Sequence, residues 1–237
     1  SLSTYLTFGL NRMANRMSTL CIWNNGGQKI EQTFGRQALS MTWDYAEANP
    51  FSGSTGSWTG SLSWIPKVLN NLNPKKSGIA DQKDVSKSII DVDSPMICTD
   101  PPYFDNILYA DLSDFFYFYI RKILKDVYPE LLSTLKTPKD GEIVSNSFRY
   151  DGNREKANNH FLNGMLAAAK LIGQKSNKDF PIIYYYAFKQ NETNQEGTSS
   201  TGWETFLEGL IQANYQITAT WPMRTERSQG LKTGKNV

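Results

Sequence analysis

The run Thr99-Asp100-Pro101-Pro102-Tyr103 constrains this chain more than any other feature. Two consecutive prolines each fix φ and each remove a backbone donor, so neither a helix nor a sheet ladder continues through them. The apolar run Met96-Ile97-Cys98 just before them reads as part of a buried strand over 95–99. Asp100 is therefore expected on a stiff loop at a strand's carboxyl end. The carbonyls of that loop have no local amide to meet and can point at a ligand. A carboxylate, a free carbonyl and the Tyr103 ring then converge, a set that suits a planar heterocycle bearing an exocyclic amino group.

Periodicity places helices around this loop. Leu6, Leu10, Met13 and Met17 recur at helical spacing over 3–17, with Ser3 as the cap. Gly26-Gly27 marks a turn, and 50–60 is a loop rich in Gly, Ser and Thr. Residues 61–72 predict a helix with Leu62, Ile65, Val68, Leu69 and Leu72 inward, Pro66 being tolerable near its start. Gly78-Ile79-Ala80-Asp81 predicts a short strand ending in an acid, and 85–90 a helical turn. Over 110–124 a helix is predicted whose apolar face holds Leu112, Phe115, Phe116, Tyr119, Ile123 and Leu124. Residues 158–172 and 203–213 predict two more helices, and 180–188 and 215–221 two more strands. The run Ile182-Ile183-Tyr184-Tyr185-Tyr186 reads as too apolar for an exposed edge, and Cys98 as a small buried hydrophobe. Strands alternating with helices imply α/β layering. In such sheets ligands sit beyond the carboxyl ends of strands, where Asp81 and Asp100 fall.

Composition narrows the setting. A chain that is 39% hydrophobic and 13% aromatic has enough for a real core. No apolar run reaches the roughly 18 residues a membrane span needs, so no membrane partner is expected. Cys21 and Cys98 are far apart and lack CxxC spacing, so no zinc site is expected and a reducing cytoplasm is the natural setting. A net charge of +2 does not announce a nucleic-acid binder; local patches would have to do so. Two are visible: Arg224, Arg227, Lys232 and Lys235, and Arg121, Lys122 and Lys125. Each is more often an ordinary solvated face.

Asp100-Pro101-Pro102-Tyr103 after a strand resembles the catalytic tetrapeptide of the S-adenosylmethionine-dependent amino-methyltransferases, which methylate N6 of adenine or N4 of cytosine in DNA. The resemblance extends through Phe104-Asp105-Asn106 and Tyr109-Ala110-Asp111-Leu112-Ser113-Asp114-Phe115-Phe116. It includes Phe34-Gly35-Arg36-Gln37-Ala38-Leu39, Trp43-Asp44-Tyr45-Ala46-Glu47-Ala48-Asn49-Pro50-Phe51 and Trp221-Pro222-Met223-Arg224-Thr225-Glu226. In that order the segments resemble the zinc-ribbon-containing adenine-specific DNA methylases of prokaryotes.

The resemblance implies a Rossmann-like class I methyltransferase sheet flanked by helices, incomplete in this chain. Residues 1–75 would be a helical and loop part, and 76–237 an α/β core. It implies S-adenosylmethionine as cofactor and DNA as partner. That family also carries an upstream Gly-rich cofactor loop and a cysteine-rich ribbon, which these residues do not contain. The expectation is a carboxyl-terminal catalytic portion. A rival placement makes Asn49, Pro50, Phe51 and Gly53 the cofactor loop, with Asn in place of Asp; a plain turn is the alternative. Asp100, Pro101, Pro102 and Tyr103 would be catalytic, and Asp81, or Asp84 as fallback, would hold the cofactor. Tyr103, Phe104, Asp105, Asn106, Trp221 and Arg224 would line the target site, with a capping Asp105, a packed Trp221 and a solvated Arg224 as alternatives. His160 has no expected role. Two other readings stay open: a nucleic-acid-binding fragment that does not bind cofactor by itself, and an N4-cytosine or RNA amino-methyltransferase.

Overall fold

The computed structural model describes residues 1–35, 38–105, 107–187 and 201–223. It divides into two compact units: Ser1–Ala80 with Tyr109–Asp140, and Asp81–Leu108 with Gly141–Val237. The first unit thus takes in 109–140, which the sequence reading had grouped with the α/β core.

In the first unit, helix α1 (Leu2–Ala14) starts at Ser1, whose side chain accepts from the Thr4 amide, two residues before the expected cap. It packs against α2 (Trp58–Leu62) and α4 (Tyr109–Leu124). At Gly9 the first approach is close: a Cβ there would lie 2.6 Å from the tip of Leu62, Cδ2. Thr7, Gly9 and Ala14 are the buried positions of α1, while Leu6 stays exposed. The Gly26-Gly27 turn closes a hairpin of β1 (Trp23–Asn24) on β2 (Lys29–Ile30), with Asn24 Oδ1 accepting from the Gly27 amide at 2.8 Å. Behind it lies a polar knot: buried Cys21 faces Thr33, whose hydroxyl is 2.8 Å from Ser18 Oγ.

The helix predicted over 61–72 is two helices, α2 and then α3 (Trp64–Asn71). Val68, Leu69 and Leu72 were expected inward and are exposed, since nothing among the described residues covers that side of α3. On α4 the buried positions are Tyr117 and Leu124, which cluster with Leu132; Ile123, expected inward, is exposed. Phe115 and Phe116 instead meet the Phe34 ring, at centroid distances of 5.4 and 5.5 Å. Burial pushes the Asp114 carboxyl up, but the Lys139 ammonium at 2.7 Å and the Thr137 amide and hydroxyl outweigh it and hold it at about 2.

The second unit is built on β3 (Cys98–Thr99), α5 (Arg154–Lys175), β4 (Ile183–Tyr184) and α6 (Thr201–Gln212). Strands β3 and β4 pair in parallel. The Ile97 and Thr99 carbonyls accept from the Ile183 and Tyr185 amides; the strand itself is Cys98–Thr99, shorter than the expected 95–99, and the Pro95 carbonyl accepts from Asn177 outside the ladder. Helix α5 runs from the Asn153 cap and buries Ala157, Phe161, Met165, Ala168, Ala169 and Ile172. It packs against α6 through Phe206 and Leu210. Gly164 admits Ile143, whose Cγ1 would be 2.9 Å from an added Cβ.

The parallel pair has α5 between its strands in sequence, a crossover of the kind parallel strands need. The described residues do not extend it to a wider sheet: 78–81 and 215–221 form no strand, because neither finds a ladder partner. Side chains alternate by two along the pair. Ile97, Thr99, Tyr184 and Tyr186 are half-buried, whereas Met96, Cys98, Ile183 and Tyr185 are exposed. Cys98 is therefore not the buried hydrophobe expected, and the Ile182–Tyr186 run has one exposed face. Among the described residues no helix is long and apolar enough to cross a membrane.

Candidate active site

Strand β3 ends at Thr99, and Asp100 follows it directly. The Thr99 carbonyl is already bonded to the Tyr185 amide at 2.8 Å. The prolines then halt the ladder. Asp100 is exposed, and Pro101 and Pro102 are half-buried. Tyr103 Oη donates to Asp100 Oδ1 at 2.6 Å, which fixes the carboxylate's rotamer. No hydrogen bond reaches the Pro101 carbonyl among the described residues. The Pro102 carbonyl accepts from the Phe104 amide at 3.2 Å, and Ser145 donates its amide to the Phe104 carbonyl at 2.9 Å.

Phe104 anchors the loop. Its φ of 46° is left-handed, an unusual conformation for a non-glycine residue. Its ring meets fully buried Phe161 edge-on, with centroids 5.1 Å apart. Gly202 leaves room for it, since an added Cβ would lie 3.1 Å from Phe104 Cβ. Phe104 was expected to line the target site; its ring is spent on the core.

Tyr103 leads into an aromatic array. Its ring meets Tyr186 edge-on at 5.7 Å, and Tyr186 lies flat on Phe206 with centroids 4.1 Å apart and planes within 8°. Trp203 flanks both, at 5.9 Å from each. Tyr186 Oη donates to the Gly202 carbonyl at 3.3 Å. Burial pushes the Tyr186 phenol well above its usual range, and the Asp105 charge adds to this. Burial does the same to Tyr184, aided by its hydrogen bond with Tyr215. Both phenols therefore stay neutral donors. Asp100 thus stands at the exposed end of a rigid wall of rings.

Compared with family models, with curated proteins and with solved structures, the chain matches none of them. The site must be judged on its own geometry.

The residues expected to hold the cofactor are engaged locally. Asp81, which follows no strand, pairs with Lys83 at 3.2 Å. Asp84 accepts from the Ser86 amide and hydroxyl at 3.0 and 2.6 Å and pairs with Lys87 at 2.8 Å. Bonds from Lys87, then Ser86, hold its carboxyl at about 2. In the first unit, Asn49 Oδ1 accepts from the Phe51 amide at 2.9 Å, and the Pro50 carbonyl from Trp58 at 2.7 Å. Phe51 is exposed, and nothing lies within 4 Å of a Cβ added at Gly53. Both segments are thus held by local hydrogen bonds.

Trp221 is exposed, not packed. Asn106 and Arg224 lie outside the described residues, as do Arg36, Gln37, Arg227, Lys232 and Lys235. His160 Nε2 lies 3.0 Å from the Glu142 carbonyl, and Glu142 pairs with Arg149 at 2.7 Å. Sequence reading missed the backing rings Tyr186, Trp203 and Phe206. The aromatic spacing of 203 and 206 on one helical face was the available signal.

Proposed function

We propose that this chain supplies the target-amine site of an S-adenosylmethionine-dependent adenine N6 DNA methyltransferase. The observation that supports this best is the Asp100 carboxylate: exposed at the carboxyl end of a parallel strand, oriented by Tyr103 and next to a Pro101 carbonyl with a vacant acceptor position. Methyl donation belongs to the cofactor, while the protein contributes placement. The reading of the wider fold as a Rossmann-like sheet is part of the same proposal.

The adenine amino group has two hydrogens and a lone pair delocalised into the ring. Asp100 Oδ2 and the Pro101 carbonyl offer two acceptors. Bonds to both favour a more pyramidal nitrogen and stabilise the positive charge that develops on it as a bond to carbon forms. Tyr103 holds Oδ1, so less rotamer freedom is lost when the amine arrives. The extra proton on the methylated nitrogen leaves through the exposed carboxylate to water. A paired base cannot reach this loop, so the target must leave the stack, at a cost of about a few kcal/mol.

Incubation with duplex DNA and S-adenosylmethionine, followed by mass analysis of nucleosides, tests this. N6-methyladenine is expected from the wild type. Asp100→Ala should lower its formation by about a hundredfold or more, and Tyr103→Phe by a smaller factor. Unchanged activity in Asp100→Ala would sink the catalytic assignment; N4-methylcytosine as product would sink the choice of base. The local engagement of Asp84 and Asn49 favours a second reading, a nucleic-acid-binding module. Titration calorimetry separates the two, since that module binds DNA but takes up no S-adenosylmethionine.

A further inference from the structure

We propose that α1, α2 and α3 carry a contact surface for the phosphate backbone of duplex DNA, centred on Arg12, Trp64 and Lys67. It rests on the nucleic-acid partner proposed above, but uses none of the Asp100 loop.

At Gly9 α1 comes close to α2, and Arg12 lies one turn further along the same side of α1. Arg12 Cζ then sits 5.1 Å from the centre of the Trp64 ring, and Lys67 Nζ 5.0 Å from that same centre. The two charges are therefore within about 10 Å of each other, close to the screening length of physiological salt, and they repel. The ring offsets part of this through its quadrupole. No carboxylate pairs with either cation among the described residues. Both side chains are exposed, and Trp64 is half exposed.

The surroundings have the same bias. Residues 1–30 hold Arg12, Arg16 and Lys29 and no acid; residues 48–80 hold Lys67, Lys75 and Lys76 and no acid. The whole chain has 23 acids, so their exclusion from these helices is local. A net charge near zero hides it. At the end of α4 the basic residues Arg121, Lys122 and Lys125 are followed at once by Asp126 and then Glu130, and Arg121 donates to the Thr134 carbonyl at 2.7 Å. That patch lacks the bias. A phosphate beside Arg12 and Lys67 would relieve their repulsion and release its own counterions. The surface reads no bases; it sets register on the duplex.

Anisotropy of a short labelled duplex, titrated with the chain over a series of salt concentrations, tests this. Arg12→Gln with Lys67→Gln should weaken binding at low salt by about tenfold or more and flatten the dependence of log K on log salt by about two. Lys67→Gln alone, at an exposed position, should flatten it by about one and serves if the double variant does not fold. Lys122→Gln with Lys125→Gln should leave the slope unchanged. An unchanged slope and affinity in a double variant with wild-type circular dichroism would overturn the proposal. So would binding to phosphatidylserine vesicles in preference to the duplex. Asp100→Ala should keep the wild-type salt slope, so failure of catalysis and failure of this surface give different results.

Discussion

The two units bury different things. Behind the Asp100 loop the core is large and apolar: Phe161, Met165, Phe206 and Leu210, edged by Tyr184, Tyr186 and Trp203. In the first unit the sealed positions around α1 and the hairpin are mostly small or polar, Thr7, Cys21, Thr33, Ser57 and Ser61, with Ile30 of the hairpin the large apolar exception. There the large side chains Leu2, Phe8, Trp64 and Leu72 face outward. Burial of apolar area is the main stabilising term, so the loop proposed to hold a reactive amine rests on the firmer base. A site that must hold geometry to a fraction of an ångström needs such backing.

The sharpest way to break this contrast is to empty one core and trim the surface of the other. Phe161→Ala is expected to cost about 3–5 kcal/mol, read as a lower urea midpoint. Phe8→Ala on α1 should stay within about 0.5 kcal/mol; a large loss there would mean that the outward face is covered. Next in size are the glycines. Gly164→Ala would set a Cβ 2.9 Å from two carbons of buried Ile143, and should cost about 1–3 kcal/mol. Gly9→Ala meets only the tip of Leu62, which can turn away, and should cost less. Equal losses would erase the difference in rigidity between the units.

A small further effect is electrostatic. The folded Asp114 carboxyl lies at about 2, below its ordinary 3.8. Its contribution is therefore present above about pH 4 and lost as pH falls through about 2. Solvent reaches the group, so the effect should be about 1 kcal/mol or less. Asp114→Asn should remove that acid-side decline, which thermal melts across the acid range would show. No decline in the wild type would mean that the Lys139 pair adds nothing.

Local pattern carried much of the fold. Helices α1, α4, α5 and α6 were legible as helices, because a helix satisfies its own backbone within a few residues, but α1 buries Thr7, Gly9 and Ala14 and not the periodic Leu6. The strand before Asp100 was legible as an apolar run stopped by proline. Residues 78–81 and 215–221 looked equally strand-like and form no ladder among the described residues, since a strand exists only by its partner. The apolar face of α4 was read in the wrong place: Tyr117 is buried and Ile123 is not, because Phe34 and Leu132 decide which side is covered. At the site, the proline-stiffened acid was readable. The rings behind it were not, since Tyr186 and Trp203 lie more than eighty residues downstream. Asp84, held as a fallback to Asp81, proved to be tied up by the two residues that follow it closely in sequence.

One thiol is sealed and the other is not: Cys21 is fully buried, and Cys98 is exposed two residues before Asp100. A maleimide dye under native conditions should therefore attach at a single point beside the proposed site, with no cysteine engineered away. Its emission would then report on whatever docks at the end of that strand, whether or not any chemistry follows.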